Sequence, residues 1–201
     1  MSPSTGSPTR GSARRRLARL ALAAAAGLTV LAAVTPPALG QGSAAVMLER
    51  RVKAAFIYKF LGYTEFPTRA FADAGSPITI GVVGSDAMMA ELSNIVAGRT
   101  IQNRPVVIRE FREGEIAAAV HLLFVAGADP VRVGRVLRSA PNAMLLVTEC
   151  EGGLQQGSII NFRIVDERVR FDVSLEAAER NHVRLSSRLL TVANRVQKGS
   201  S

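Results

Sequence analysis

The chain has 201 residues, a length that suits one domain once a targeting segment is removed. Its formal charge of +9 is uneven: residues 1–40 hold five of the 25 Lys and Arg and none of the 16 Asp and Glu, so the remainder carries +4. That mild excess, without basic runs interleaved with aromatic residues, gives no reason to expect nucleic-acid binding. The single cysteine, Cys150, excludes an internal disulfide and leaves either a buried thiol or a bridge to another chain.

Residues 1–40 have the pattern of an export signal. A basic start with five arginines precedes an Ala/Leu-rich run from Leu17 to Val34, which Pro36 and Pro37 interrupt. Small residues at 38 and 40 then predict cleavage before Gln41. The alternative is an uncut membrane anchor, since the apolar run is long enough to span. The helix breakers and the cleavage site favour removal, which leaves residues 41–201 as one exported domain.

Residues 44–63 predict a helix, and Pro67 ends the element. Most of the aromatic side chains of the chain fall in or just after this segment: Phe56, Tyr58, Phe60, Tyr63, Phe66 and Phe71. The preferred interpretation is an amphipathic helix that covers a sheet. The alternative is an aromatic patch that faces a partner.

Short apolar runs then alternate with helical segments. The pattern predicts strands over 78–83, 106–110, 121–125 and 143–148, and helices over 87–97, 113–119 and 131–139. Continuous apolar strands separated by helices are typical of a parallel sheet that is covered on both faces. We therefore predict an α/β fold with a doubly wound, flavodoxin-like or Rossmann-like sheet.

The C-terminal part predicts a hairpin that extends this sheet as an antiparallel edge. Its strands are residues 158–165 and 168–174, and they flank Asp166 and Glu167, which are not the Asn-Gly or Asp-Gly pair that two-residue turns prefer. Ser174 is placed to cap a helix over 175–180, and Asn181 to end it in a left-handed conformation. Ser186 is placed to cap a last helix, whose apolar face holds Leu189, Leu190, Ala193 and Val196.

No catalytic set emerges from the spacing of reactive residues, so we expect neither an enzyme nor a metal or cofactor site. His121 and His182 are the only histidines, and neither has metal-ligand spacing. A triad of Asp172, His182 and Ser186 or Ser187 lacks the Gly-x-Ser-x-Gly turn that exposes a serine nucleophile. The carboxylates that flank Cys150, at 149 and 151, suit acid–base chemistry in principle, but a solvated loop explains them more simply.

The carboxyl ends of the predicted parallel strands are the usual ligand edge of such a sheet. Gly84, Ser85, Gly127 and Glu149 follow predicted strands at this edge, and they form our candidate small-molecule site. The sequence Gly81–Gly84 matches neither the G-x-G-x-x-G nor the Walker phosphate-binding pattern, and the alternative is an anion bound at the turn that follows. Helix capping by Ser85 or Asp86 is the simpler explanation for the turn at 84–86.

Four segments together resemble the YfiR/HmsC-like family of periplasmic regulators: Val52–Pro67, Ile78–Gly84, His121–Gly127 and Gly157–Leu190. The similarity covers about residues 49–196. It implies a periplasmic domain, often a homodimer, that represses an inner-membrane diguanylate cyclase by binding its periplasmic region, and thereby controls cyclic di-GMP signalling and biofilm formation. Family members often carry cysteine at the positions of Gly81 and Val120, so redox control through an internal disulfide is not expected here.

The same resemblance calls for a surface that binds the cyclase. We predict this surface on the 152–156 loop and the hairpin, with Gly152, Leu154, Ile164, Asp166 and Glu167, because an edge hairpin with an apolar and acidic tip can dock another chain. The alternative is a plain solvent-exposed turn. A small-molecule receptor is the second functional hypothesis, and a ligand at the sheet edge is compatible with repression.

Overall fold

The computed structural model describes residues 39–116, 119–141 and 144–199. Its helices are α1 (Leu39–Gly62), α2 (Asp86–Val96), α3 (Pro130–Ser139), α4 (Leu175–Arg180) and α5 (Ser187–Val192). Its strands are β1 (Thr64–Glu65), β2 (Ile78–Val83), β3 (Thr100–Ile101), β4 (Arg104–Glu110), β5 (Leu122–Val125), β6 (Leu145–Thr148), β7 (Ile160–Val165), β8 (Arg168–Ser174), β9 (Arg184–Leu185) and β10 (Arg195–Gln197). Residues 1–38 lie outside the described residues, so the export signal stays a prediction.

The main sheet confirms the predicted fold class. It has eight strands in the order β10-β8-β7-β6-β5-β2-β4-β3. Strands β4, β2, β5, β6 and β7 run parallel to one another, and their sequence along the sheet is the flavodoxin-like order. The β7–β8 and β3–β4 pairs are antiparallel. The chain leaves β2 and β5 in opposite directions along the sheet, so right-handed crossovers place α2 and α3 on opposite faces.

The burial of each strand follows from its sequence. Every residue of β2, β5 and β6 is buried, as expected for strands with continuous apolar runs and a covered sheet face on both sides. The hairpin instead alternates, with Phe162 and Phe171 paired on one face and Arg163 and Arg170 on the other. The central strands therefore form the core, and the hairpin has one buried and one exposed face.

Helix α1 covers the apolar face of the hairpin, in agreement with the covering-helix interpretation. Phe60 is 1% exposed, and its ring centroid lies 4.9 Å from that of Phe171 in an edge-on arrangement. Phe56 makes a similar contact with Phe171 at 5.5 Å. Such aromatic pairs contribute about 1 kcal/mol each beyond the area they bury. No helix in the described ranges has the length and apolarity that crossing a membrane requires.

Three predicted helix caps are present. The Ser85 hydroxyl accepts from Met88 N at 3.1 Å, the Ser174 hydroxyl accepts from Ala177 N at 3.1 Å, and Ser186 caps α5. The prediction for Asn181 was wrong: its φ is −89°, and the left-handed residue is the next one, His182, at φ 55°. Asn181 is buried and its side-chain amide donates to Ala177 O, so the turn is made one residue later.

Two further element predictions were wrong. Residues 113–116 are not helical, because Gly114 takes a left-handed φ of 82° that interrupts the segment; residues 117 and 118 lie outside the described residues. The last helix ends at Val192, and residues 195–197 form β10, which pairs in parallel with β8. The hairpin is therefore not the edge of the sheet along its whole length, because β10 covers residues 172–174 of β8.

Candidate functional site

The structure brings the four predicted ligand residues to one edge of the sheet. Strands β2, β5 and β6 are neighbouring and parallel, and they end at Val83, Val125 and Thr148. Gly84 and Ser85 follow the first of these strands, Gly127 the second and Glu149 the third. The predicted clustering at the carboxyl edge is thus present, although it does not by itself identify a ligand.

A buried lysine that the sequence analysis missed organises this edge. Lys53 of α1 is only 7% exposed, and its Nζ lies 2.7 Å from Glu149 Oε2 and 2.5 Å from Glu49 Oε1. Burial on its own lowers the pKa of Lys53, but the hydrogen bonds and charges of Glu149 and Glu49 outweigh burial and leave the pKa above its ordinary value. Lys53 is therefore a fixed cation that ties α1 to the loop after β6.

Glu149 joins this lysine to the next loop. Its Oε1 accepts from the backbone N–H of Gly127 at 3.1 Å, while its Oε2 binds Lys53. One carboxylate therefore connects α1 with the loops after β5 and β6. The interpretation of Glu149 as a residue of a solvated loop was incomplete, because both of its oxygens have protein partners.

Arg132 of α3 covers the two glycines of the predicted site. Its Nη1 donates to Ala126 O at 2.8 Å, and its Nε donates to Glu113 Oε1 at 2.5 Å. A Cβ atom on Gly84 would lie 2.7 Å from Arg132 Nη2, and Gly84 also has a φ of 80°, so only glycine fits there without strain. Strands β2 and β5 are the neighbouring strands that the chain leaves in opposite directions, and ligands of such folds usually bind at the carboxyl ends of this pair. The guanidinium group of Arg132 lies at this position.

Two clefts meet at the Lys53–Glu149 ion pair. One has a volume of about 360 Å³ and is lined by Glu49, Lys53, Glu149, Cys150, Glu151, Phe162, Arg163 and Ile164. The other has a volume of about 290 Å³ and adds Val46, Arg50, Ser85 and Met88 to the shared Glu49, Lys53 and Glu149. These volumes lie near the lower end of the range for small-molecule sites. Ser85 and Glu149 line a cleft, whereas Gly84 and Gly127 face Arg132.

The predicted partner residues do not all lie on one surface. Gly152 and Leu154 lie in the turn between β6 and β7, beside a small cleft that Arg163, Asp172 and Arg195 also line. Ile164 is 50% exposed on the opposite, apolar face of the hairpin, at the cleft next to Lys53. Asp166 and Glu167 form the exposed tip. The tip can contact a partner together with either face, but one flat partner cannot cover both faces.

The hairpin tip is a tight two-residue turn. Asp166 and Glu167 have φ values of 49° and 58°, the type I′ conformation, and Val165 pairs directly with Arg168. The absence of an Asn-Gly or Asp-Gly sequence therefore did not prevent this loop. Asp tolerates a positive φ better than most residues, but Glu does not share that preference.

Buried polar side chains hold the turn between β6 and β7 in place. The Thr148 hydroxyl lies 2.9 Å from the Ser158 hydroxyl and 2.7 Å from Asn161 Oδ1. The Asn161 amide donates to Cys150 O at 3.0 Å. A Cβ atom on Gly153 would lie 2.3 Å from Asn161 Oδ1, so this backbone packs directly on the polar group. The loop that carries Gly152 and Leu154 is thus supported from below.

The two histidines have different surroundings. His121 is buried: its Nδ1 accepts from Thr79 N at 3.1 Å, its Nε2 lies 3.0 Å from Ala70 O, and its ring stacks on Phe71 with centroids 4.4 Å apart. These contacts fix the neutral imidazole with its proton on Nε2. Burial, partly offset by the bond to Ala70 O, holds the pKa of His121 below its ordinary value. His182 is exposed in a connection.

The structure gives the residues of the rejected triad separate roles. The Asp172 carboxylate accepts from the Asn194 side chain at 2.7 Å, and Ser186 caps α5. Among the described residues, no three His, Cys, Asp or Glu side chains are grouped as metal ligands.

Cys150 is a free thiol and is 1% exposed. Burial raises its pKa, and the nearby Glu149 carboxylate adds to the shift. The buried-thiol alternative from the sequence analysis is confirmed. A Cβ atom on Gly81 would lie 3.1 Å from Val120 Cγ1, so the two positions where the family resemblance implied cysteine are in contact here without a thiol.

A family profile described as YfiR/HmsC-like matches residues 50–194. No curated protein matches the chain at a significant level. The matched range begins in α1 and ends just before β10, so it includes Lys53, Glu149 and the whole hairpin. The family is one of periplasmic regulators of cyclic di-GMP signalling rather than of enzymes. The chain therefore belongs to the YfiR/HmsC-like family.

Proposed function

We propose that this protein is a periplasmic repressor of an inner-membrane diguanylate cyclase. It binds the periplasmic region of the cyclase, lowers cyclic di-GMP synthesis and thereby limits biofilm formation. The observation that carries the proposal is family membership over residues 50–194. Export of the chain, with cleavage near Gln41, and its assembly as a homodimer belong to the same proposal.

The hairpin supports a binding role. Its tip is exposed, its Ile164 side chain is half exposed, and the turn is held by pairing between β7 and β8 up to the last residues. A preformed element of this kind docks with little loss of conformational entropy. The proposed contact residues remain Gly152, Leu154, Ile164, Asp166 and Glu167. The carboxylates of the tip, Asp166 and Glu167, can take part whichever face of the hairpin the partner covers.

The test combines complex formation with a signalling readout. The protein is used to capture membrane proteins from its own host, and cyclic di-GMP is measured in cells with and without it. We expect a diguanylate cyclase to be recovered and cyclic di-GMP to fall. If the folded protein recovers no cyclase and leaves cyclic di-GMP unchanged, the proposed function is wrong.

A second experiment tests the role of the tip carboxylates. The variant Asp166→Asn with Glu167→Gly removes both charges but installs the residue pair that type I′ turns prefer, so the turn is preserved. We expect at least a tenfold weaker complex with the cyclase, about 1.4 kcal/mol. The control is Glu110→Gln with Glu115→Gln, two exposed carboxylates outside the hairpin. An unchanged affinity in the tip variant would move the contact surface elsewhere.

The clefts at Lys53 favour a second candidate function, a small-molecule receptor with Gly84, Ser85, Gly127 and Glu149 near the ligand. A ligand that binds only the folded state raises the melting temperature without any protein partner. We expect a metabolite screen to give a hit that Glu149→Gln weakens, because this carboxylate borders both clefts. A hit that is insensitive to Glu149→Gln places the ligand elsewhere.

A further inference from the structure

Part of the C-terminal hairpin projects beyond the strands on either side of it. Strand β6 pairs with β7 only as far as Thr148 and Asn161, and β10 pairs with β8 only from Asp172 onward. Residues 162–171, which we name the hairpin arm, therefore form strand-to-strand residue pairs only with each other. On the outer side of β8, residues 168–170 have no strand partner in the described part of the chain.

The hydrogen-bond pattern identifies which backbone groups of β8 point outward. In a two-residue hairpin the pair next to the turn, Val165 and Arg168, exchanges both hydrogen bonds, so the next pair, Ile164 and Val169, does not. The N–H and C=O of Val169 therefore face the open side. Phe171 lies two residues further and has the same orientation, and its carbonyl accepts from Asn194 N at 2.9 Å. The outward N–H and C=O groups of Val169 therefore continue the same edge of β8 with which Asn194 and β10 already form hydrogen bonds.

The two faces of the arm differ in chemistry. Ile164 and Val169 lie together on the apolar face, and Ile164 is half exposed. The opposite face carries four exposed arginines: Arg163, Arg168, Arg170 and Arg195. Arg163 and Arg170 are directly opposite each other, an arrangement of like charges that is unfavourable without an anion.

No carboxylate of the described chain neutralises these arginines. None of the four guanidinium groups forms an ion pair with a described residue. Asp172 lies on the same face, but it is 8% exposed and accepts from Asn194. The connection between β6 and β7 contains no helix, so it places no helix over the arginine face of the hairpin. The surface therefore combines unpaired positive charge with an open strand edge.

We propose that the outer edge of β8 binds an extended segment of another protein in which acidic and apolar side chains alternate. The segment adds a strand next to Val169, places its acidic side chains against Arg168 and Arg170, and places its apolar side chains beside Ile164 and Val169. The period of two along a strand requires this alternation. The inference goes beyond the proposed function, since it concerns the β8 edge rather than the tip and holds whichever protein supplies the segment.

The open edge favours a protein strand over other anions. Anionic lipid headgroups or a nucleic acid would bind the arginines, and a phosphate oxygen can accept from the N–H of Val169. Neither presents a backbone donor and acceptor at strand spacing, which would pair with both the N–H and the C=O of Val169. The experiment therefore separates charge from strand pairing. The probe is an eight-residue peptide that alternates glutamate with valine, compared with the same peptide in which lysine replaces glutamate. Binding is measured by fluorescence anisotropy, and backbone amide shifts of residues 168–171 locate the peptide.

We expect saturable binding of the glutamate peptide with a Kd of about 1 mM or tighter, and no binding of the lysine peptide. Arg168→Glu with Arg170→Glu should weaken the glutamate peptide at least tenfold and create binding of the lysine peptide. Val169→Pro keeps all four arginines but removes the outward N–H, and proline is tolerated on an edge strand. It should weaken the glutamate peptide at least fivefold.

Arg109→Glu with Arg135→Glu is the matched control, because both arginines are exposed, lie outside the arm and give the same change in net charge. This pair should leave peptide affinity within twofold. The proposal is overturned if the glutamate peptide does not bind, or if the control pair weakens it as much as the arm pair does. It is also overturned if Val169→Pro has no effect, and binding of anionic phosphatidylglycerol vesicles through the same arginines would then identify a lipid surface.

Discussion

The two ends of the central strands are closed in opposite ways. At the amino end, His121 fills the space between Thr79 and Ala70 as a neutral ring, stacked on Phe71. At the carboxyl end, charged groups do the same work: Lys53 with Glu49 and Glu149, and Arg132 with Glu113. The neutral His121 ring contacts backbone groups and an aromatic ring, and it needs no charged partner. The charged end is held by ion pairs between side chains, so its stability should depend more strongly on electrostatics.

The largest effect should come from breaking the charged end. Lys53→Met removes the cation and leaves Glu149 with only the Gly127 N–H as a partner, so we expect the free energy of unfolding to fall by about 3 kcal/mol. Urea denaturation measures this loss. Lys59→Met, an exposed lysine of the same helix, should change stability by less than about 0.5 kcal/mol. The double variant Lys53→Met with Glu149→Gln should be more stable than the sum of the single losses implies.

A smaller loss is expected at the neutral end. His121→Leu keeps an apolar side chain but leaves the Thr79 N–H without its acceptor, so the free energy of unfolding should fall by about 2 kcal/mol. The exposed His182→Leu is the control and should have little effect. A larger loss of the free energy of unfolding in His121→Leu than in Lys53→Met would contradict the view that the ion pairs make the carboxyl end the more sensitive of the two ends.

The smallest effect should be the pH dependence that His121 adds. Its pKa is lowered in the folded protein, so the unfolded chain binds the proton first as pH falls below the ordinary histidine value of about 6.5. The contribution of His121 to stability is therefore complete above that value and is lost as pH falls through the folded pKa. His121→Gln keeps a donor and an acceptor but does not titrate.

This comparison requires unfolding curves at pH 7.5 and at several lower values for both proteins. The difference in stability between the wild type and His121→Gln should shrink as pH falls, because only the wild type loses the contribution of His121. The carboxylates that titrate in the same range are common to both proteins and cancel in the difference. A constant difference from pH 7.5 to 4.5 would mean that the ring is not held neutral by the fold.

Local patterns in the sequence predicted most of the fold. The continuous apolar runs gave β2, β5 and β6 within a few residues, and Ser85 and Ser174 correctly predicted two helix starts. The predictions failed at positions where the backbone conformation of one residue determines whether a helix forms or where it ends. Gly114 interrupts a segment with helical composition, and the left-handed residue after α4 is His182 rather than Asn181. Strand β10 is too short for its pattern to be distinguished from the end of a helix.

The site was less predictable because it depends on contacts between distant segments. The glutamates and glycines after the strands were found, since the carboxyl edge of a parallel sheet is known in advance. Lys53 was missed because its burial depends on how α1 crosses the sheet, although its spacing of four from Glu49 was a usable signal. Arg132 gave no signal, since an arginine in the first turn of a helix is usually solvent-exposed.

The small sheet of β1 and β9 also has a kinetic consequence. It pairs Thr64, two residues after the end of α1, with Leu185, near the C-terminal end of the described chain. Contacts between residues so far apart in sequence form slowly, because a long loop must close first. The end of α1 and the segment after α4 are therefore expected to lock together late in folding. During synthesis, this closure must await the chain as far as Leu185.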